Sequence, residues 1–215
     1  MRAADLMAKS LSQQGADRIF CVPGESYLSL LDALHDTEIS VVACRHEGGA
    51  GFMAVADAKL TGKPGVVAVS RGPGATNASI GVHLAQQDAI PLVLIIGQVS
   101  REERGRGAFQ EVDYEQFFGG MAKKVWEVER SEQLSEVVAR AFHDSQSGTP
   151  GPVVIVLQED MLADDLPEEI WPKMPVARPG VDLEAVEQAA ALLAKAKRPL
   201  IMAGGGLDSD AGRAA

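Results

Sequence analysis

Aromatic side chains are scarce in these 215 residues, with six Phe, two Tyr and two Trp making up 5% of the chain. A core must therefore be built from Val, Leu, Ile and Ala, which the 46% hydrophobic content supplies. Cysteine is nearly missing. Cys21 and Cys44 both sit in apolar runs, which excludes a disulfide scaffold and fits small core residues of a reducing compartment. The strongest apolar stretch, Ile90 to Gly97, falls far short of the roughly 20 residues that a membrane helix needs. Basic charge is also in deficit: 20 Lys and Arg face 30 Asp and Glu, a formal charge of -10. That balance repels phosphate backbones and anionic membrane surfaces, so neither nucleic acid nor membrane is expected as a partner. The opening Met1-Arg2-Ala3-Ala4-Asp5 lacks the apolar stretch of a signal peptide, and a cytoplasmic location is expected. His35, His83 and His143 are scattered and His46 stands alone beside Glu47, so no metal site is expected.

Six short β-type runs can be read: Arg18 to Val22, Ile39 to Ala43, Val66 to Ser70, Leu92 to Ile96, Lys123 to Val128 and Val153 to Leu157. Several are apolar throughout, the pattern of strands covered on both faces. Between them lie helical periods. Ala3, Leu6, Met7, Ser10 and Leu11 share one face, as do Leu134, Val137, Val138 and Ala141 behind Ser131 as an expected N-cap. The order predicts an α/β fold, a doubly wound, mostly parallel six-stranded sheet with helices on both faces, over residues 1–165. Pro167, Pro172, Pro175 and Pro179 mark residues 166–181 as a linker. Residues 182–215 then read as the start of a second α/β domain. They offer a helix from its cap Asp182 to Ala196, a strand Pro199 to Ala203 and the turn Gly204-Gly205-Gly206. One helix and one strand cannot bury a core, so the chain is expected to be a piece of a longer protein.

Ligands of open α/β sheets collect at the carboxyl ends of the strands. There stand Val22-Pro23-Gly24-Glu25-Ser26, Cys44-Arg45-His46-Glu47-Gly48-Gly49-Ala50, Ser70-Arg71-Gly72-Pro73-Gly74-Ala75-Thr76-Asn77 and Gly97-Gln98-Val99. Glycine-rich turns and one carboxylate converge on a single edge. Taken alone, Glu47 also suits the first turn of a helix, where acids are stabilised, and Gly72-Pro73-Gly74 also suits a plain strand-to-helix connector. Neither that turn nor Gly204-Gly205-Gly206 completes the Gly-x-Gly-x-x-Gly fingerprint, because Asn77 and Ser209 stand where the third glycine belongs. A dinucleotide-binding oxidoreductase domain is therefore disfavoured.

Five motifs occur in order: Arg45-His46-Glu47-Gly48-Gly49-Ala50 with Met53-Ala54, Gly62-Lys63-Pro64-Gly65-Val66, Gly72-Pro73-Gly74-Ala75-Thr76-Asn77, Ile90-Pro91-Leu92-Val93, and Ala108-Phe109-Gln110-Glu111. Together they resemble the N-terminal, pyrimidine-binding domain of thiamine diphosphate enzymes of the acetolactate synthase branch. The likeness covers nearly all of residues 1–165, and residues 182–206 resemble the start of that family's middle domain. It implies that Glu47 activates the cofactor, that Pro23, Gly24, Pro73, Asn77 and Gln110 line its site, and that Phe109 borders the substrate. It further implies a transferase or lyase joining 2-oxo acids, with pyruvate as donor, in a homodimer or tetramer. Mg²⁺ and the diphosphate would be held by a Gly-Asp-Gly motif in a domain that this chain lacks, and FAD is left open. Alone the chain is expected to be inactive. Two departures bear on the substrate. Pro23-Gly24-Glu25-Ser26 replaces the Pro-Gly-Gly of many biosynthetic acetolactate synthases, which keeps another lyase, carboligase or sulfoacetaldehyde acetyltransferase-like enzyme in view. The adjacent histidine pair of pyruvate decarboxylases is missing, which argues against simple decarboxylation. A non-catalytic binding or assembly module is the remaining alternative, and an acid kept between glycines speaks against it.

Overall fold

The computed structural model describes residues 1–177, 180–207 and 212. Contacts divide it into two units, Met1–Val176 and Ala177–Ala215.

In the larger unit six strands form one sheet: β1 (Arg18–Cys21), β2 (Ser40–Ala43), β3 (Gly65–Val69), β4 (Leu92–Gln98), β5 (Lys124–Glu127) and β6 (Pro152–Gln158). Every pairing is parallel, in the order β2-β1-β3-β4-β6-β5. The six runs read from the sequence match these strands to within a residue or two at each end, and the sheet is wholly rather than mostly parallel.

Successive strand residues point to opposite faces, and here both sets are apolar. Val66, Ala68, Val93, Ile95, Val153 and Ile155 pack with α1 (Ala3–Gln14), α2 (Leu28–His35) and α6 (Leu134–Gln146). Val67, Val69, Leu94, Ile96, Val154 and Val156 pack on the other side with α3 (Glu47–Thr61), α4 (Pro73–Gln87) and α5 (Tyr114–Phe118). A strand with no solvent face has no reason to alternate, which explains the continuous apolar runs. The edge strand β2 is correspondingly more exposed. Cys21 is buried and Cys44 half-buried, and both are free thiols.

Two local expectations fail. Ser131 does not cap α6; it opens a 3-10 turn, Ser131–Gln133, ahead of that helix, which starts at Leu134 without a side-chain cap. The extra 3-10 turn places Ser131 three residues ahead of the first α-helical residue, too early for its hydroxyl to reach the α6 amides. In the smaller unit, α7 (Leu183–Lys195) forms as predicted, with the Asp182 carboxylate accepting from the Ala185 amide at 3.2 Å. Residues 199–203, however, form no strand. A strand's amides need a neighbour, and the described residues of this unit contain no other strand.

The chain beyond β6 returns along α1 and α6. The Met1 and Leu166 backbones exchange hydrogen bonds of 2.7 and 2.8 Å, and the Trp171 amide donates to Ser135 Oγ at 2.8 Å. Among the described residues, no helix is long and apolar enough to cross a membrane.

Helices α3 and α4 approach each other closely through two glycines. A β-carbon added to Gly81 would lie 2.7 Å from the Cα of Gly51, so the two backbones touch directly. Helix propensity alone would favour Gly81→Ala by about 1 kcal/mol. Forcing the helices apart costs about 1–3 kcal/mol, and the backbone on the far side cannot rotate away. Gly81→Ala is therefore predicted to lower the urea midpoint, and an unchanged or raised midpoint would contradict the contact.

Candidate active site

Strand order reverses direction between β1 and β3, since β2 lies on one side of β1 and β3 on the other. A crevice opens at such a point, outside the carboxyl ends of the strands. The turns that follow β1 and β3 meet there. A β-carbon on Gly24 would lie 2.6 Å from Ser70 Cβ, so any larger residue would push the turns apart. Beneath them the buried Tyr27 hydroxyl sits between the carbonyls of Val22 and Ala68. Burial pushes the Tyr27 phenol far above its ordinary range, so it stays a protonated donor that ties the turns together.

Glu47 is the first residue of α3, yet it does not cap the helix. His46 does so, its Nδ1 accepting from the Gly48 amide at 3.0 Å. The Glu47 carboxylate is thereby released for other contacts. Its Oε2 accepts from Asn77 Nδ2 of α4 at 3.0 Å, and its Oε1 lies 3.6 Å from where a β-carbon on Gly74 would stand. Gly51 and Gly81 follow Glu47 and Asn77 by four residues each, one helical turn, on the same faces. The glycine contact thus fixes the spacing of the acid and its amide partner.

The turn after β3 is strained and braced. Gly72 adopts φ +53°, and its amide donates to the buried Tyr114 hydroxyl at 2.8 Å. A β-carbon there would lie 2.8 Å from both Cβ and the carbonyl oxygen of Gln110. Only glycine satisfies both demands. Pro73 follows as the first residue of α4, its fixed φ suited to that position.

Of the residues marked in the sequence, Glu47, Asn77 and Gly74 are brought into one cluster, Gln110 lies against Gly72, and Gly24 lies against Ser70. Pro23 is exposed beside Gly24. Phe109 is 77% exposed and projects from its loop instead of packing on the turns. Among the described residues no cluster of His, Cys, Asp and Glu could hold a metal ion.

Several contributors escaped the sequence reading. The buried Arg71 pairs with Glu25 and Glu159, each at 2.7 Å, and so clips the ends of β1, β3 and β6 together. Ser26 and Ser70 hydroxyls lie 3.0 Å apart, and the Arg71 amide donates to Ser26 Oγ at 3.3 Å. The available signal was charge set directly after buried strands, at Glu25, Arg71 and Glu159. Arg101 forms a second clip, to Asp160 at 2.7 Å and Asp164 at 2.9 Å, at the base of the loop that carries Phe109.

Arg101, with help from the Ser131 hydroxyl, holds the Asp164 carboxyl below its usual range. A depressed folded-state value means that the contribution is complete above the ordinary aspartate range and is lost as pH falls through the lowered value. Asp164→Asn is accordingly predicted to be less stable than the parent at neutral pH, with the gap closing in strong acid. Urea midpoints at the two pH values check this; a gap that persists unchanged in acid would contradict it.

Fold and site together define a parallel α/β domain whose topological switch point carries the Glu47–Asn77 pair beside bare-backbone turns. Residues 1–117 match the family described as thiamine pyrophosphate enzyme, N-terminal TPP binding domain, and the chain belongs to that family. It is 37% identical over 207 residues to the acetolactate synthase isozyme 2 large subunit of Escherichia coli (strain K12), covering 96% of this chain and 38% of that protein. It is 39% identical to the isozyme 1 large subunit of the same organism, over 95% of this chain and 37% of the relative. It is 34% identical to a probable acetolactate synthase large subunit of Methanocaldococcus jannaschii, over 96% of this chain and 36% of the relative. The chain thus spans less than two-fifths of the length of these relatives.

Proposed function

We propose that this chain supplies the pyrimidine half of a thiamine diphosphate site in an enzyme that joins 2-oxo acids, with pyruvate as donor. The observation that carries the proposal is the Glu47 carboxylate, held through one oxygen by Asn77, with the other toward Gly74. These residues fit a flat heterocycle, because Gly74 presents no side chain beside the acid and Gly24 and Gly72 keep the flanking turns low.

When bound, thiamine diphosphate supplies an acidic thiazolium carbon and, in its own aminopyrimidine, the base that deprotonates it. Glu47 would hold the proton shared with the ring nitrogen remote from the amino group and so make that amino group the more effective base. Asn77 donates to the far carboxylate oxygen and fixes the direction in which the acid points. Gly24, Pro23 and Pro73 would bound the pyrimidine, Gln110, seated on Gly72, would line the cofactor site, and the exposed Phe109 would border the substrate.

Mg²⁺ and the diphosphate belong, in this proposal, to residues outside the chain, in a cytoplasmic homo-oligomer. The Glu25–Arg71 pair favours a second reading of the substrate: a charged side chain stands at the turn where many biosynthetic acetolactate synthases have glycine. A sulfoacetaldehyde acetyltransferase-like enzyme or another carboligase of the family accommodates that change.

The test uses the full-length protein, titrated with thiamine diphosphate and Mg²⁺ and then supplied with pyruvate. Acetolactate is the expected product. Glu47→Gln should keep cofactor affinity within a few-fold and lose turnover by roughly 10²-fold or more, as expected when a positioned proton-sharing group is removed. Wild-type turnover in that variant would contradict the role.

A further inference from the structure

The segment from Arg104 to Glu111 closes around one side chain that the proposed chemistry does not use. The Glu111 carboxylate, only 10% exposed, accepts from the Gly105 amide at 2.7 Å, the Ala108 amide at 3.2 Å and the Arg104 guanidinium at 2.7 Å. The Glu111 amide donates back to the Ala108 carbonyl at 3.1 Å. Arg104 also pairs with Glu127 at the end of β5, which anchors the ring of contacts to the sheet. Phe109 and Gln110 lie between Ala108 and Glu111, so both ends of their peptide are bound to the same residue.

Gln110 has φ +64°. A non-glycine residue keeps that conformation only where its surroundings over-determine it. Two constraints do so here: Glu111 holds the chain on either side, and Gly72 receives the Gln110 backbone at contact distance. Three donors converge on one acceptor group, and an ionised carboxylate has the lone pairs for all of them. A glutamine of the same shape would turn N–H groups toward the guanidinium or toward an amide donor.

We infer that Glu111 is a positioning residue, setting the loop turn that presents Phe109 to the substrate and Gln110 to the cofactor while itself touching neither. That the loop faces a substrate rests on the proposed function; that Glu111 shapes the loop does not. Its carboxyl is held below the ordinary glutamate range, chiefly by the Gly105 amide and then by Arg104, which agrees with a carboxylate used as an anchor in its charged form.

The experiment compares the full-length protein with Glu111→Gln and Glu111→Ala. Trypsin reports loop order directly, because Arg104 and Arg106 lie within the loop. Cleavage there should rise about tenfold in both variants as local opening becomes easier. Thiamine diphosphate affinity should weaken only a few-fold, through Gln110 in the same turn, while KM for pyruvate rises about tenfold and more than kcat falls, the signature of lost substrate positioning. Should Glu111→Ala fail to fold, the isosteric Glu111→Gln decides. Parental cleavage rates and parental KM in that variant would overturn the inference. If the parent itself neither binds thiamine diphosphate nor turns over pyruvate, the enzyme reading fails, and trypsin alone then judges the loop: faster cleavage supports the role of Glu111 and equal cleavage overturns it.

Discussion

Two helices that touch through glycine determine where the chemistry can be. Because Gly51 and Gly81 bring the backbones of α3 and α4 into contact, the first turns of both helices converge just above the carboxyl edge of the sheet. Glu47 and Asn77 lie one turn before those glycines, so their 3.0 Å hydrogen bond follows from the crossing. His46 completes the arrangement by taking over the helix cap, which would otherwise compete for the acid. Backbone packing, capping and side-chain chemistry are therefore coupled in one small region.

The remaining parts of the crevice are held by charge and by buried hydroxyls. Arg71 draws together the ends of three strands, although Glu25 is 69% exposed and its share of that clip is screened by solvent. Tyr27 and Tyr114, two of the few aromatic residues, each place a buried hydroxyl on backbone at a turn. Their rings fill the core and their oxygens fix the loops, so the scarcity of aromatics does not weaken the site. The loop from residue 99 to 113 is fastened at its base by Arg101, in its middle by Glu111 and at its end by Tyr114.

The fold was legible because both faces of β3, β4 and β6 are apolar, a pattern that leaves few alternatives to a covered parallel sheet. Elements whose stability depends on a distant partner were not. Pro199 to Ala203 has a strand's composition but no neighbouring strand among the described residues of its unit. Ser131 has a cap's composition but opens a 3-10 turn ahead of α6 instead of capping it. In the site, Glu47 and Asn77 stand out singly beside their glycines, whereas their pairing depends on the helix crossing. Arg71 was invisible for the same reason: its two carboxylate partners lie in different turns, and only the strand order β1-β3-β4-β6 makes them neighbours.

The central claim is that the Glu47 carboxylate meets the ring nitrogen of a thiamine pyrimidine at the β1/β3 switch point. A crystal structure of the full-length protein with thiamine diphosphate and Mg²⁺ tests it most directly. The account predicts a carboxylate-to-ring-nitrogen distance of about 2.6–3.2 Å, with Asn77 still bonded to the other oxygen. A pyrimidine seated elsewhere, or Glu47 turned to solvent while the cofactor is bound, would contradict it.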